Sequence, residues 1–299
     1  MSKIRFAFLL VLLGVGAAII GAVSVRKMNT PLGRTLAPLF SVMGRNTKNA
    51  DRLLSRLLPI GSVDEMLLGD ALVARRGGQS NFPKEAAYVN RLLKSMGEKT
   101  SHRFEFRGFV ENGPPNAYAL PGGVIVVNDG LFPVLKNEAQ LVSILGHEIG
   151  HIERGHCFDS ARFEILGDKL RQVTLGEIAD LLFSFAVRHT FSKTQEQEAD
   201  DYGFKMLVAQ AYQPREMAAA FANLQAWEKR QGVTGRGTSP VDDYFSSHPA
   251  TELRIENFTA RAESWRKRNP HALVYVGARN FDLFIDRHTE NYQEEATTR

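Results

Sequence analysis

A His-Glu-x-x-His pattern occupies residues 147–151, inside the apolar run from Asn137 to Cys157. If this run forms one helix, His147 and His151 lie four residues apart on the same face, and Glu148 lies beside them. Imidazole nitrogens are preferred ligands of zinc, and a carboxylate close to the metal can act as a general base in hydrolysis. The spacing therefore predicts one half of a zinc hydrolase site.

The sequence around this pattern predicts a buried helix. Asn137 can cap its N-terminus, and Gln140 three residues later gives a variant of the capping box. Apolar residues then cover most of the helix circumference, and no proline interrupts it. A core helix whose histidines bond to backbone carbonyls is the alternative. Burying two histidines and a glutamate without a strong partner is costly, however, which favours a bound metal ion.

A catalytic zinc usually has three protein ligands and leaves one position open, so a third ligand is needed. The metzincin arrangement requires a histidine six residues after the second ligand and a glycine three residues before it, but this chain has Cys157 and Arg154 there. His156 comes one residue too early and points away from the face of His147, so we interpret it as a structural histidine at the helix end. A Cys157 ligand would require the helix end to bend back on itself.

A second, acidic helix offers the other candidate. Glu196 and Asp200 are one turn apart and share a face with Gly203. One carboxylate can bind zinc while the other accepts a hydrogen bond from a ligand histidine, and Gly203 lets the two helices approach closely. Glu198 faces elsewhere and is interpreted as a solvated acid. The alternative is an ordinary acidic helix start, favoured by the helix dipole.

A histidine and an arginine further along the chain could complete the site. The pair His248-Pro249, which follows a glycine-rich loop at 231–239, sets a rigid turn at the start of a helix. Arg254 lies about a turn and a half further on and can return towards the same site. A capping histidine at the helix start is the alternative for His248.

Periodicity predicts an α+β fold that is mostly helical, with a small sheet directly before the motif helix. Alternating residues in 103–110, residues 116–120 and the β-branched run 124–127 predict about three strands. At the C-terminus, from residue 279 onwards, we expect a polar tail without regular structure. Helical spacing marks the segments on both sides of the sheet, at 63–76, 83–96, 160–188, 194–211, 214–230 and 251–268.

The N-terminal segment predicts membrane targeting. Residues 6–25 carry no charge, are long enough to cross a bilayer as a helix, and have basic residues on both sides. We favour an uncleaved anchor over a signal peptide cleaved after Ser24, because Arg26 and Lys27 follow the apolar run directly. A buried helix of a soluble protein is the remaining alternative. We expect an extracytoplasmic body, for example a periplasmic one. Secretion after cleavage and a cytoplasm-facing body are the alternatives, because the flanking bases do not fix the orientation.

The positive charge of the chain is concentrated in the same region. Residues 1–60 hold nine of the 37 lysines and arginines but one of the 33 acids, so the sequence pI of about 9.2 belongs to this segment. A nucleic-acid function therefore loses most of its support. The single cysteine excludes an internal disulfide. We divide the chain into an anchor or signal peptide (1–27), a basic linker (28–60), a metal-site domain (61–270) and a C-terminal extension (271–299).

The motifs occur in a combination that resembles a known family. Over residues 60–270 they resemble the gluzincin zinc endopeptidases that include HtpX, BepA and the CAAX prenyl endopeptidases, in their single-anchor branch. One departure is Lys193, where many members have arginine. The resemblance implies a zincin-type metallopeptidase domain that binds one Zn²⁺ per chain. The motifs are, in chain order, Asn116-Ala117 with Pro121-Gly122-Gly123 and Gly130-Leu131, His147-Glu148-x-x-His151 with Gly155-His156, Ser192-x-x-x-Glu196-x-x-Ala199-Asp200-x-x-Gly203, and His248-Pro249-x-x-x-x-Arg254.

The resemblance also implies a role for each matching residue. It assigns Glu148 as the base and Asp200 as a hydrogen-bond partner behind the metal ligands. It places His248 and Arg254 near the reacting carbonyl and makes Asn116 part of the substrate-binding strand. The zinc ligands that it implies are His147, His151 and Glu196.

We therefore expect a membrane-associated zinc metalloendopeptidase that hydrolyses peptide bonds in unfolded or extended protein segments, in a quality-control role. An extended substrate would pair with an edge strand at 124–128, through Val124, Ile125 and Val126, because such edges bind peptide backbone with little sequence demand. A weaker hypothesis is that residues 231–247 cover the site and let His248 occupy the open zinc position at rest.

Two alternative functions are disfavoured. A non-catalytic chaperone or binding module on a metal-stabilised fold would need no base such as Glu148. A prenyl-protein endopeptidase would be expected to have many membrane helices, and this chain has at most one span. The expected partners are a protein or peptide substrate and the membrane, and not nucleic acid. The sequence leaves the oligomeric state open.

Overall fold

The computed structural model describes residues 62–75, 81–101, 105–157, 191–230, 248 and 252–298. Several predicted features lie outside the described residues, namely the apolar segment 6–25, the linker 28–60, the helical segment after residue 160 and the loop 231–247. Within the described ranges, no helix combines the length and the apolar character that a membrane crossing requires.

Helices and strands succeed one another as the periodicity predicts, and the α+β class is confirmed. In the described ranges, six long helices surround a small sheet, and a short strand pair and a short helix follow towards the C-terminus. The bounds are α1 Ser62–Arg75, α2 Pro83–Gly97, β1 Arg107–Glu111, β2 Ala117–Leu120, β3 Val124–Asn128, α3 Glu138–Glu153, α4 Lys193–Ala209, α5 Arg215–Arg230, α6 Glu252–Arg268, β4 Val274–Tyr275, α7 Ala278–Leu283 and β5 Ala296–Thr297.

The two helices that carry the site begin at well-formed caps. The side chain of Asn137 accepts a hydrogen bond from the Gln140 amide at 2.9 Å, which confirms it as the N-cap of α3. The Gln140 side chain, however, accepts from the amide of Lys136 at 2.9 Å, so the reciprocal half of the box is displaced by one residue. Helix α4 begins with a complete capping box between Ser192 and Gln195. These caps fix where each helix starts, and so which face its functional residues occupy.

The three-stranded sheet has the order β1-β3-β2, with β1 parallel and β2 antiparallel to the central strand β3. The expectation that residues 124–128 form an edge strand is therefore wrong. Both sides of β3 are already hydrogen-bonded, and Val124, Ile125 and Val126 are fully buried. A continuous β-branched run is typical of a strand that is covered on both faces. Among the strands of the described ranges, β2 lies next to α3 and forms an edge of this sheet.

Helix α3 is buried along nearly its whole length and packs closely against α4. A Cβ added at Gly203 would lie 2.9 Å from the backbone nitrogen of His147, and one added at Gly146 would lie 3.2 Å from Cα of Gly203. Real Cβ atoms rarely approach other atoms that closely, so the helix backbones touch at this crossing. The close approach predicted from Gly203 is confirmed.

The C-terminal segment folds back onto the start of α3 instead of forming the predicted polar tail. Phe281 and Tyr292 are buried. The amides of Glu138 and Ala139, in the first turn of α3, donate to the carbonyls of Gly277 and Val276, both at 3.0 Å. Residues in 269–298 thus complete the N-terminal end of the helix that bears the His-Glu-x-x-His pattern.

Glu138 itself is fully buried beneath this segment. It accepts hydrogen bonds from the hydroxyls of Tyr88 at 3.0 Å and Tyr212 at 2.5 Å, and from the amide of Arg287 at 3.1 Å. Because these donors come from α2, from the turn after α4 and from the C-terminal segment, one carboxyl group ties three distant parts of the chain to the active-site helix.

Candidate active site

Helix α3 presents His147 and His151 on one face, as their spacing predicts. Their Nε2 atoms are 3.1 Å apart, and both rings are fully buried. Phe221 meets the His147 ring edge to face, with a centroid distance of 6.4 Å. Two buried imidazole nitrogens this close together are stabilised when they share a positively charged partner such as a metal ion.

Helix α4 supplies the carboxylate of Glu196 to the same point. Its Oε2 lies 3.6 Å from His147 Nε2, and its Oε1 lies 3.4 Å from His151 Nε2. His248 adds a third imidazole, with Nδ1 2.9 Å from Glu196 Oε1 and 3.2 Å from His147 Nε2. One ligand atom from each of these four residues lies within 4.8 Å of all the others.

This donor set fits a zinc ion. Zinc prefers four ligands in a tetrahedral arrangement and binds imidazole nitrogen and carboxylate oxygen. All four donor residues are buried, which matches the dry, closed surroundings of such an ion.

The carboxylate of Asp200 lies behind the ligands. Its Oδ1 is 2.9 Å from His147 Nδ1, so in the neutral tautomer that leaves Nε2 free for a metal, the Nδ1–H of His147 points at this oxygen. Arg254 donates two hydrogen bonds to the same carboxylate, from Nε to Oδ2 at 2.9 Å and from Nη2 to Oδ1 at 2.5 Å. Its third nitrogen, Nη1, lies 2.9 Å from Glu196 Oε2. Arg254 therefore fixes both acids of α4 at once.

Glu148 approaches the donor cluster through other contacts than Asp200 does. Its Oε1 is 3.5 Å from His248 Nε2, and the backbone amide of Ala119, in β2, also interacts with its carboxylate. The side chain is fully buried. A carboxylate beside a metal-binding cluster, and not part of that cluster, is placed to act as a base.

The model of peptidase family M48 matches residues 80–262, more than half of the chain. The chain belongs to peptidase family M48. The resemblance to gluzincin endopeptidases is thereby confirmed, and the ion that the four donors fit is the zinc of an M48 metalloendopeptidase.

Several curated M48 relatives are similar to this chain. The mitochondrial metalloendopeptidase OMA1 of Arabidopsis thaliana is 30% identical over 143 residues, covering 46% of this chain and 28% of the relative. The beta-barrel assembly-enhancing protease of Escherichia coli (strain K12) is 25% identical over 257 residues, covering 77% and 50% respectively. The metalloprotease LoiP of the same organism is 29% identical over 160 residues, covering 49% and 58%. The chain thus spans less than two thirds of the length of these relatives.

The charge states at this M48 site favour metal binding. Burial alone would raise the pKa of Glu196, but the imidazoles of His248 and His147 outweigh it, so the pKa is lowered. Burial likewise opposes charge on Asp200, and the contact with His147 and the guanidinium of Arg254 lower its pKa below the ordinary value. Burial lowers the pKa of His151 well below its usual range. Carboxylates that are charged and an imidazole that is neutral are the forms that bind a metal ion.

The pKa of Glu148 moves in the other direction. Burial raises it, and the nearby imidazoles of His248 and His147 oppose this rise only in part. A base whose pKa is closer to neutrality can both take up a proton and release it during a reaction. In His248, burial disfavours the charged form, but the carboxylates of Glu148 and Glu196 outweigh burial and raise its pKa.

Of the residues predicted from sequence, His147, His151, Glu196, Asp200, Glu148, His248 and Arg254 come together here. Asn116 directly precedes β2 and accepts from the amide of Asn128 through its carbonyl. Val124, Ile125 and Val126 lie in the central strand and contribute no atom to the donor cluster.

Sequence reasoning missed Phe191, and it did not foresee that His156 contacts His151 or that the solvated acid Glu198 contacts His156. The Phe191 ring stacks on His151 with centroids 3.8 Å apart, and lies 5.6 Å from the ring of His248. It directly precedes Ser192, the cap of α4, so its place in the site follows from where that helix starts. The capping pattern was the one signal that could have drawn attention to it.

Proposed function

We propose that this M48 protein is an endopeptidase that cleaves unfolded or extended protein segments and is held at a membrane by its N-terminal segment. The observation that carries the proposal is the position of Glu148, buried beside a zinc-binding cluster and against the edge strand β2. The apolar segment 6–25 supports the membrane location, with the folded body on the extracytoplasmic side. A quality-control role is supported by the similarity to a beta-barrel assembly-enhancing protease.

The chemistry follows from the placement of the side chains. Zinc, when bound, polarises the scissile carbonyl and lowers the pKa of water to about 7. His147, His151 and Glu196 hold the ion, and Asp200 orients His147. The carboxylate of Glu148 takes the proton of the attacking water and delivers it to the leaving amine. Arg254 holds the acids of α4 in place through the contacts described above, and we assign it that role.

Substrate backbone is proposed to pair with β2 instead of the strand at 124–128. The amide of Asn128 donates to the carbonyl of Asn116 at 2.8 Å, and in an antiparallel pair only every second residue forms such bonds with the neighbouring strand. The backbone N–H and C=O groups of Ala117 and Ala119 therefore point away from β3. The outward side is the side of Glu148, whose carboxylate meets the amide of Ala119. A peptide extended along this edge would pass in front of the base. Recognition through backbone groups predicts loose sequence selectivity.

The burial of the site supports a closed resting state. His147, Glu148, His151 and His248 are all inaccessible to solvent, and Ala117 and Ala119 are buried as well. No peptide can reach a base that solvent cannot reach, so opening must precede cleavage. We propose that His248 occupies the fourth zinc position at rest and withdraws when a substrate enters. The loop at 231–247, which the sequence suggests as a cover of the site, lies outside the described residues.

Replacing Glu148 by glutamine tests the proposed activity. The zinc-loaded full chain, purified in detergent, is incubated with a denatured, fluorescently labelled protein. Wild type should cleave it, and Glu148→Gln should bind one zinc per chain yet lose about 10²- to 10⁴-fold in rate, because the proton acceptor is gone. A chelator should abolish cleavage by wild type.

Glu153→Gln is the matched control, since Glu153 lies on the same helix and accepts from the Ser101 amide at 3.1 Å outside the donor cluster. It should cleave at the wild-type rate. The assays are repeated with His248→Ala, so that a closed resting state does not hide the reaction. Undiminished cleavage by Glu148→Gln in both backgrounds would rule out the proposed base.

A further inference from the structure

A hydrogen-bonded chain leads from a metal ligand to the protein surface. Nδ1 of His151 lies 3.0 Å from Nδ1 of His156, and Nε2 of His156 lies 3.1 Å from Oε2 of Glu198. His156 is buried, whereas the side chain of Glu198 is 51% exposed. Both residues lie outside the set of four donors.

We propose that His156 and Glu198 are positioning residues that hold His151 in the tautomer and orientation required for binding zinc. This inference rests on the proposed function, because it takes His151 to be a ligand through Nε2.

The direction of the hydrogen bonds follows from the ligand role. If Nε2 of His151 gives its lone pair to the ion, the proton of this neutral ring must be on Nδ1. That N–H donates to Nδ1 of His156, which must then be unprotonated, so the proton of His156 is on Nε2. This second N–H donates to the carboxylate of Glu198. Every nitrogen then has a defined role, and the chain ends on a group that only accepts.

The backbone after α3 explains how His156 reaches His151. Gly155 has a φ of +74°, in the left-handed region that favours glycine, and its amide donates to the carbonyl of Ile152 at 2.9 Å. The chain reverses there, so His156 turns back towards the helix it has just left. A continuous helix, which the sequence predicts here, would have directed His156 away from His151.

The two ligand histidines are thus oriented from the same helix. His147 meets Asp200 directly, while His151 reaches Glu198 through His156. Asp200, Glu198 and the ligand Glu196 all lie on α4. Phe191, just before α4, covers the face of the His151 ring. One helix therefore sets the orientation of every ligand on α3.

An incidental ion pair at the surface is the competing explanation for His156 and Glu198. Such exposed pairs contribute little to stability and would leave zinc affinity unchanged. Orienting partners of ligand histidines typically change metal affinity by about 10- to 100-fold. Zinc affinity therefore separates the two explanations, independently of catalysis.

The test measures the zinc affinity of the full chain by competition with a chromogenic chelator. His156→Phe keeps the ring shape but cannot accept from His151, and should bind zinc about 10- to 100-fold more weakly. His156→Asn retains an acceptor oxygen close to the position of Nδ1, and should restore most of the affinity. Glu198→Ala should show a smaller loss than His156→Phe. Nitrogen-15 NMR of labelled histidines in the zinc-free protein should show the Nδ1–H tautomer of His151 in wild type and a mixture of tautomers in His156→Phe.

Asp201→Asn is the matched control, because Asp201 is an exposed acid of the same helix that pairs with Arg261 at 2.7 Å. It should bind zinc as wild type does. Equal zinc affinity in wild type, His156→Phe and Glu198→Ala would overturn the inference, and since Glu198 is exposed, its variant gives a result even if His156→Phe does not fold. Wild type that binds zinc but cleaves no protein would instead contradict the proposed function and leave the zinc comparison intact.

Discussion

Gly203 of α4 lies against the backbone of His147, so closely that a Cβ at position 203 would come within 2.9 Å of the His147 nitrogen. Gly150, one turn further along α3, faces α4 in the same way. A Cβ added at Gly150 would lie 3.0 Å from Cα of Ala199. The absence of side chains at this crossing sets the distance between the two halves of the zinc site.

Gly203→Ala is therefore expected to damage stability and zinc binding together. The added methyl group must push the helices apart, at a cost of about 1–3 kcal/mol in the free energy of unfolding. The displacement moves Glu196 away from the histidines, so zinc affinity should fall as well. Urea unfolding and chelator competition measure the two effects. Gly97→Ala is the control, because its Cβ would meet only the ring of Phe106 at 3.3 Å, and it should leave zinc affinity unchanged.

Arg254→Lys should weaken zinc binding although it keeps the positive charge. Lysine cannot reproduce the three contacts of the guanidinium with Asp200 and Glu196, so both carboxylates lose their fixed positions. We expect a loss of about 10-fold in zinc affinity.

Arg261→Lys provides the comparison for this substitution. Arg261 lies on the same helix, pairs with Asp201 and packs over the ring of Phe204 at 4.4 Å, as Arg254 does over Phe221 at 4.5 Å. Its replacement should not change zinc affinity. Equal effects of the two substitutions would mean that Arg254 acts only through general stability.

His248→Ala distinguishes a resting ligand from a catalytic group. If His248 closes the site, its removal should raise the rate of protein cleavage several-fold while lowering zinc affinity, because one donor is lost. Steady-state cleavage and chelator competition on the same preparation give both quantities. Slower cleavage with wild-type zinc affinity would contradict the closed-state proposal and would place His248 at the reacting carbonyl, as the family resemblance implies.

Stability should depend on pH through Glu138. Burial raises the pKa of this carboxyl from 4.5 to about 7, although hydrogen bonds from Tyr212, Tyr88 and the amide of Arg287 oppose the rise. Between those two values the folded state binds more protons than the unfolded state. The free energy of unfolding therefore falls as pH rises from about 4.5 to about 7, by up to about 3 kcal/mol.

Glu138→Gln removes this titration and keeps the shape of the side chain. Relative to wild type, the variant should gain stability as pH rises across that window, measured by urea unfolding at several pH values. Glu263→Gln, at an exposed position of α6, serves as the control and should follow the wild-type profile. A difference between Glu138→Gln and wild type that stays constant from pH 4.5 to pH 8 would refute the assignment.

Sequence was sufficient for the parts of the site that lie within single helices. The spacing of His147 and His151, and that of Glu196 and Asp200, is translated directly into geometry because a helix fixes which residues share a face. A zinc site needs ligands from both helices, so the sequence also predicted that α3 and α4 pack together. The small residue Gly203 indicated the point of closest approach.

Sequence was insufficient wherever a turn or a distant neighbour decides the outcome. A β-branched run identifies a strand but not the strands that pair with it, so the prediction of β3 as an edge strand was wrong. The turn at Gly155 depends on one backbone angle, and it brings His156 back to His151. The burial of Glu138 depends on Tyr88, Tyr212 and Arg287, whose separation in the chain no local pattern reveals.

The anchoring of α3 also has a consequence for how the protein is made. Arg287, whose amide donates to Glu138, is synthesised 149 residues after it. The carbonyls of Val276 and Gly277, which accept hydrogen bonds from the first amides of α3, are also synthesised late. Until residues 276–287 have been synthesised, the first turn of the active-site helix lacks these hydrogen-bond partners. The finished geometry of the site therefore requires a segment that is made well over one hundred residues after the helix that it completes.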